Sequence, residues 1–212
     1  MELSKNLKLA REARAEDNTE DAKMYYQKVR EEEPENGEAK FFYAYYSLYE
    51  GKVAEIPGRF ENLCKTVSSS IQLVKKSQLS KEEQLKIVEA IVKTFVPEIW
   101  VQNRYMNKKN QEQKIGNTYV RIFSVSEISN CSKIGMRAVR DLGDQIDQLY
   151  KGDPIAQKYA VSAWKEYVSL AQTWYAYAPK GEAEVYAEKI KKIEPSYVMP
   201  SKAGCISFGK KQ

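Results

Sequence analysis

The amino-acid sequence predicts an all-α fold. Apolar residues recur at intervals of three and four along most of the 212 residues, which is the spacing of one helix face. The chain has only 10 glycines and 7 prolines, too few for the many turns of an all-β domain. Hydrophobic residues make up 42 % and charged residues 30 %, as in helical proteins with a proper core. This length suits one extended domain or two small ones.

The first 51 residues predict two helices and the start of a third. The apolar stripes of the first two helices are formed by Leu3, Leu7, Ala10, Ala22, Tyr26 and Val29. Residues 17–19 separate them, because Asp, Asn and Thr side chains bond to nearby backbone and favour turns. The second helix ends before Pro34, since the residue before a proline avoids helical angles. A third helix, rich in aromatic residues, is expected from Glu38 to Tyr49, with Gly51 as its C-terminal cap.

Longer helices are predicted over residues 52–152. One spans about 58–76, and Ser80–Glu83 is a capping box that starts the next. That helix continues through Pro97, where we expect a kink or a break because proline cannot donate its backbone hydrogen bond. Residues 107–113 are polar, as in an exposed turn or a solvated stretch of helix.

The apolar positions of 115–150 fit one long helix. Two helices joined near 124–129 are the alternative, because glycines weaken the helix at Gly116, Gly135 and Gly143.

The C-terminal part predicts a further helix pair over 153–197. Asp153 and Pro154 are an N-cap followed by a proline at the first helical position. Residues 178–181 are the turn between the two helices, and 198–212 are expected to be a disordered tail because they lack apolar periodicity. We therefore divide the chain into residues 1–51, 52–152, 153–197 and 198–212.

Two stretches resemble tetratricopeptide repeats, which are antiparallel helix pairs that stack into a right-handed superhelix. The positions that carry the resemblance are Leu9, Ala10, Ala13, Ala22, Tyr26, Val29 and Pro34, then Tyr43, Ala44 and Gly51, and near the C-terminus Tyr167, Leu170, Ala171, Trp174, Ala183, Ala187, Ile190 and Pro195. The pattern fails after Gly51, so we expect the regular array to stop there. Stable arrays need about three or more repeats. The longer helices of 52–152 are therefore expected to complete the core, as degenerate repeats or as an unrelated bundle.

The resemblance implies a groove that binds peptides, because the first helix of each repeat lines the concave face in that family. Carried over by position, the groove consists of Lys8, Arg11, Arg14, Phe42, Tyr45, Tyr49, Lys165, Gln172 and Tyr175. Basic and aromatic side chains together suit an acidic or C-terminal peptide of another protein. Arg11 stands where family members carry an asparagine that clamps a terminal carboxylate, so that clamp is not implied. The competing interpretation is that the tyrosines pack helices and the basic residues form a solvated face.

The composition argues against catalysis. The chain contains 0 histidines, which removes the usual proton shuttle and the commonest transition-metal ligand. No glycine-rich phosphate loop follows a strand, and no pair of cysteines has zinc-site spacing. We therefore expect no enzyme activity, no cofactor and no bound metal.

Membrane insertion and secretion are not indicated either. No run of 18 apolar residues occurs, and the N-terminus lacks the apolar core of a secretion signal. The three cysteines, Cys64, Cys131 and Cys205, are an odd number spread far apart, which favours a reducing compartment. The sequence thus predicts a cytoplasmic protein.

A protein-interaction scaffold is the function that the sequence favours, and two other classes stay open. One is a structural bundle that self-associates through its long central helix, where Leu142 and Ile146 lie on the apolar stripe. The other is a weak binder of anionic surfaces, either nucleic acid or lipid headgroups, because lysines accompany Trp100 and Tyr105 in the middle of the chain. Acidic residues are interspersed there and the net charge is only +5, which argues against nucleic acid.

Overall fold

The computed structural model describes residues 4–112 and 121–202, together with the backbone of 114–115 and 118–119. These residues form eight α-helices and one very short β-hairpin. The helices are α1 (Lys5–Ala15), α2 (Thr19–Glu32), α3 (Gly37–Tyr46), α4 (Ile56–Lys76), α5 (Lys81–Glu112), α6 (Val125–Leu149), α7 (Pro154–Thr173) and α8 (Glu182–Lys191), and a 3₁₀ turn covers Val53–Glu55. The hairpin pairs β1 (Lys114–Ile115) with β2 (Thr118–Tyr119) in antiparallel register. Apart from this hairpin, the prediction of an all-α fold is confirmed.

Consecutive helices form four antiparallel pairs: α1 with α2, α3 with α4, α5 with α6, and α7 with α8. In each pair, contacts join the early part of one helix to the late part of the other. Such contacts are Asn6–Glu32, Gly37–Val74, Asn103–Ser132 and Tyr167–Glu182. The short connection 16–18 forces this reversal of direction within the first pair.

The odd-numbered helices run in one direction and form a layer that we call the odd-helix layer; the even-numbered helices form the other layer. The contacts between α3 and α5, and then between α5 and α7, are Phe41–Phe95, Tyr49–Tyr105, Lys81–Asp153 and Trp100–Trp174. Those between α4 and α6, and between α6 and α8, are Phe60–Gly135, Ser68–Gln145, Arg140–Glu182 and Asp144–Lys189. Helix pairs therefore also occur among the longer central helices, and the expected end of the regular repeat array after Gly51 stays a prediction.

The central helices differ from the prediction in two places. Of the kink or break expected at Pro97, a break does not occur, because α5 is continuous from Lys81 to Glu112. The polar residues up to Glu112 belong to this helix, which is the second of the two alternatives predicted for them. The prediction of a single helix from residue 115 is wrong for its first part, because the hairpin lies there and α6 begins only at Val125. Ser124 and Glu127 determine this start, since the Glu127 N–H donates to Ser124 Oγ (3.1 Å) and the Ser124 N–H donates to Glu127 Oε2 (2.7 Å).

The last pair follows the predicted boundaries closely. Asp153 caps α7 by accepting hydrogen bonds from the backbone N–H groups of Ile155 (2.8 Å) and Ala156 (2.9 Å). Gly181, with φ of +82°, ends the turn before α8. Residues 192–202 then lie beside α7 without regular structure, and the rest of the predicted tail, 203–212, lies outside the described residues. Within the described part of the chain, no helix combines the length and the apolar character needed to cross a membrane.

Candidate functional site

A cleft of about 510 Å³ opens on the odd-helix layer where α1, α3 and α5 meet. We call it the α5 cleft, because α5 contributes half of its lining. Its residues are Arg14 from α1, Asp17 from the following turn, Thr19 from the start of α2, Phe42, Tyr45 and Tyr46 from α3, and Ala90, Lys93, Thr94, Pro97, Glu98 and Val101 from α5.

Three of the nine predicted groove residues, Arg14, Phe42 and Tyr45, meet in this cleft. The Arg14 guanidinium carbon lies 4.2 Å from the centre of the Phe42 ring, and its Nη1 donates to Glu38 Oε1 at 3.2 Å. Tyr45 is half-buried, and its ring stacks on that of Phe41 with 6.3 Å between the centroids. These contacts hold the basic and aromatic wall of the α5 cleft in one arrangement.

Tyr49 does not line the cleft but contacts Glu98, which does. Its hydroxyl donates to Glu98 Oε1 at 2.5 Å, and its ring centroid is 4.9 Å from that of Tyr105. The side chain of Tyr49 remains 38 % exposed. Burial and the neighbouring Glu98 carboxylate together raise the pKa of this hydroxyl, so that it stays a hydrogen-bond donor.

Arg11 belongs to a structural network and does not line the cleft. Its Nε is 3.0 Å from both carboxylate oxygens of Glu38, and its Nη1 donates to Glu83 Oε1 at 2.6 Å. Glu38 is only 2 % exposed and also accepts the hydroxyl of Tyr26 at 3.0 Å. The network joins α1, α2, α3 and α5. Lys8 lies exposed on α1, outside the cleft lining.

The C-terminal members of the predicted groove lie elsewhere. Lys165 donates to Glu194 and sits over the ring of Tyr197, 5.7 Å from its centroid. Gln172 is buried, with its Nε2 3.6 Å from the sulfur of Met199. Tyr175 is exposed beyond the end of α7. Residues 194–199 thus cover the face of α7 that carries Lys165 and Gln172.

The residues that the sequence interpretation missed come from α5. Glu98 is 4 % exposed, and burial raises its pKa to about 7, although the hydrogen bond from Tyr49 acts in the opposite direction. Val101 is 49 % exposed. Next to it, the cleft adjoins a shallow depression that is formed by Pro97, Trp100, Val101 and Arg104. One sequence signal pointed here: the apolar residues of α5 cover more than one face, as in a helix with neighbours on several sides.

The cleft is lined by charges of both signs. Arg14 and Lys93 are its cations, and Arg104 lies in the adjoining depression. Its acids are the exposed Asp17 and the buried Glu98, whose raised pKa favours the neutral form. Lys93 pairs with Glu89 at 2.6 Å on the helix surface, where such a pair is weak. Arg104 makes no ion pair within the described residues.

The described residues offer no arrangement typical of a metal site or an activated thiol. They contain no group of three or more His, Cys, Asp or Glu side chains that could hold a metal ion. Cys64 and Cys131 are free and buried, and burial raises the pKa of both thiols, that of Cys131 to about 11. Cys205 lies outside the described residues.

The apolar stripe of α6 is used within the chain itself. Leu142 and Ile146 are both buried, and α6 packs against α4, α5 and α7. This stripe is therefore not available to a second copy in the folded protein.

Comparison with known proteins gives no matching family model, no matching curated protein and no matching solved structure. The interpretation of the α5 cleft therefore rests on its own geometry and charge.

Proposed function

We propose that this protein is a tetratricopeptide-like interaction module that binds an acidic, extended segment of another protein in the α5 cleft. The observation that carries the proposal is the cleft itself, which crosses three parallel helices and combines aromatic rings with two cationic side chains, and a third cation, Arg104, lies in the adjoining depression. The resemblance stated from the sequence supports the same class, since the first helices of such repeats line a peptide groove.

The dimensions of the cleft suit a short extended peptide. From Ala90 to Arg104, α5 extends over about 21 Å, at a rise of about 1.5 Å per residue. An extended chain advances about 3.3 Å per residue, so roughly six peptide residues span this length. Apolar side chains of such a peptide would contact Tyr45 and Val101, which are both accessible.

Charge complementarity selects the chemistry of the partner. Arg14 is held in place by Glu38 and Phe42, so it presents its guanidinium with little loss of side-chain entropy on binding. Lys93 and Arg104 are placed one on each side of Val101 along α5. Carboxylates on the partner would meet these cations, whereas a basic partner would be repelled.

The test begins by selecting peptides from a random phage-displayed library on the full chain. Enriched sequences should combine acidic with apolar or aromatic residues. A fluorescein-labelled copy of the best peptide is then titrated by fluorescence anisotropy. Two exposed substitutions, Val101→Asp and Arg104→Glu, should each weaken binding about tenfold or more.

Lys165→Glu is the matched control, because Lys165 belongs to the groove predicted from the sequence but lies outside the α5 cleft. This substitution should leave the affinity unchanged. Loss of binding in Lys165→Glu with none in Arg104→Glu would contradict the proposal, as would enrichment of basic peptides.

A further inference from the structure

A second cavity lies at one end of the molecule and shares no lining residue with the α5 cleft. Its volume is about 360 Å³, and it is bounded by the start of α1, the turn between α2 and α3, the end of α4, the α4–α5 connection and α5. We call it the end cavity. Its apolar wall consists of Leu7, Pro34, Leu73, Val74, Leu79 and Ile87.

The walls of the end cavity are held in place by the fold. At its base, α3 approaches α4 so closely that a Cβ on Gly37 would lie 2.4 Å from the Ser70 carbonyl oxygen. At its side, the buried Gln84 fastens the α4–α5 connection by donating to the carbonyls of Ser77 (3.3 Å) and Leu79 (3.1 Å). The space between these fixed walls is therefore part of the folded structure.

Two polar side chains of the end cavity, those of Asn36 and Ser77, have partners inside the protein. Asn36 donates to Glu33 Oε2 at 2.9 Å and accepts the Ala39 N–H at 3.0 Å. The Ser77 hydroxyl donates to the Val74 carbonyl at 2.7 Å. None of the described lining residues has a buried polar side-chain atom without a partner.

The charged residues of the end cavity have partners or lie at its rim. Glu33 accepts a hydrogen bond from Asn36, and Glu38 is held by Arg11 in the network described above. Glu35 and Lys76 are exposed at the rim with opposite charges. Water inside an apolar space gains few hydrogen bonds, so such a space favours an apolar occupant. An anion would lose its hydration beside the Glu33 and Glu38 carboxylates, and a cation would compete with Asn36 and Arg11, which already donate to them.

We propose that the end cavity is a binding site for a small, neutral, apolar molecule, a function beyond the peptide binding proposed for the α5 cleft. Its volume is roughly twice the ~150 Å³ of an engineered cavity that holds benzene, so two linked or fused rings or an aliphatic chain of similar volume fit. Pockets of this size with mostly apolar walls are typical small-molecule sites.

The test is a fluorescence titration of the full chain with N-phenyl-1-naphthylamine, a neutral two-part aromatic probe. Wild type should show saturable binding at one site. Leu79→Trp adds an indole to the half-buried wall, and should weaken binding by about tenfold or more because it fills the space. Val125→Trp places the same side chain at an exposed position of α6, outside both cavities, and should bind the probe as wild type does.

A methyl NMR measurement on the wild type keeps the test independent of any effect of Leu79→Trp on folding. The probe should shift the methyl signals of Leu7, Leu73, Val74 and Ile87 and leave that of Val101 unchanged. Absence of saturable binding, or shifts confined to Val101, would overturn the proposal.

Discussion

The two ends of the odd-helix layer have the same architecture but present different surfaces. At the N-terminal end, α1, α3 and α5 leave the α5 cleft open, with Tyr45 and Val101 accessible. At the C-terminal end, the comparable face of α7 is covered by residues 194–199, which contact Lys165 and Gln172. Repetition of helix pairs therefore does not produce repetition of a binding surface, because the chain that follows the last pair covers what the pattern would leave exposed.

A second difference concerns how a carboxylate joins three helices at each end. Glu38 on α3 accepts bonds from Arg11 and Arg14 of α1 and from Tyr26 of α2. The equivalent network at the other end centres on Asp144 of α6 and is formed with Trp164, Tyr186 and Lys189 of α7 and α8. The side chain of Glu38 is 2 % exposed and that of Asp144 is 39 % exposed. Burial should therefore make the N-terminal network far more sensitive to loss of its carboxylate.

The largest effect is expected from Glu38→Ala. Removal of the Glu38 carboxylate leaves the cations of Arg11 and Arg14 without their buried partner. This loss should lower the free energy of unfolding by about 3 to 5 kcal/mol. Asp144→Ala should cost only about 1 kcal/mol, because water reaches the partners it leaves behind. Urea denaturation followed by circular dichroism measures both. Equal losses would show that burial does not distinguish the two networks.

The next effect is a pH dependence that originates at Glu98. Its pKa is about 7 in the folded protein and 4.5 for the free side chain, so the folded state binds this proton more tightly than the unfolded state. The protonated Glu98 side chain therefore contributes its full stabilisation to the folded protein below about pH 4.5. This contribution, about 3 kcal/mol of the free energy of unfolding, is lost as the pH rises to about 7. Glu98→Gln, which stays neutral, should be more stable than wild type by this amount above pH 7 and similar to it near pH 4.5.

Two further substitutions test whether the pH dependence of stability follows the direction of the pKa shift at other glutamates. Glu166 on α7 is bonded by Trp100, and burial raises its pKa as well, so Glu166→Gln should act in the same direction as Glu98→Gln. Glu89→Gln is the control of opposite sign, because the hydrogen bond from Lys93 lowers the pKa of Glu89. Thermal denaturation across the pH range measures all three. A difference between wild type and Glu98→Gln that does not change with pH would contradict this assignment.

The smallest effect concerns the close approach of α6 and α7. A Cβ on Gly143 would lie 2.5 Å from the buried ring of Trp164 and 3.1 Å from the Ala160 carbonyl oxygen. Gly143→Ala should therefore destabilise the protein by about 1 to 3 kcal/mol through overpacking. A Cβ on Gly58 in α4 would meet no atom of another part of the protein within 4 Å. Gly58→Ala should therefore stabilise the protein, by up to about 1 kcal/mol, because alanine favours the helix. Chemical denaturation of both variants distinguishes a packing requirement from a general helix effect.

Much of the local structure could be predicted from short-range signals. Asn18, Asn36 and Asp153 cap their helices through side-chain acceptors, and such caps depend only on neighbouring residues. The hairpin before α6 was missed because the apolar residues of this stretch, such as Ile122 and Ile128, also fit a helical spacing. Ser124 and Glu127 form a capping box that marks the true start of α6, and this signal was present in the sequence.

Only some of the predicted groove residues line the α5 cleft. Arg14, Phe42 and Tyr45 lie together there, because α1 and α3 occupy the first positions of their helix pairs, and the peptide groove itself stays a prediction. The contribution of α5 was missed, since the periodicity of one helix does not show which other helices it meets. Arg11 was expected in the groove, but Glu38 and Glu83, which are distant in sequence, hold it elsewhere.

By itself, the sequence determined that the chain folds as helices and where most of them begin and end, because caps, prolines and apolar spacing act within a few residues. The absence of histidine likewise excludes histidine-based chemistry without any structure. Only the tertiary structure decided which helix faces stay open, which cations are held by buried carboxylates, and that the pKa of Glu98 is raised. These properties depend on burial and on neighbours from other helices, and a local pattern carries no information about either.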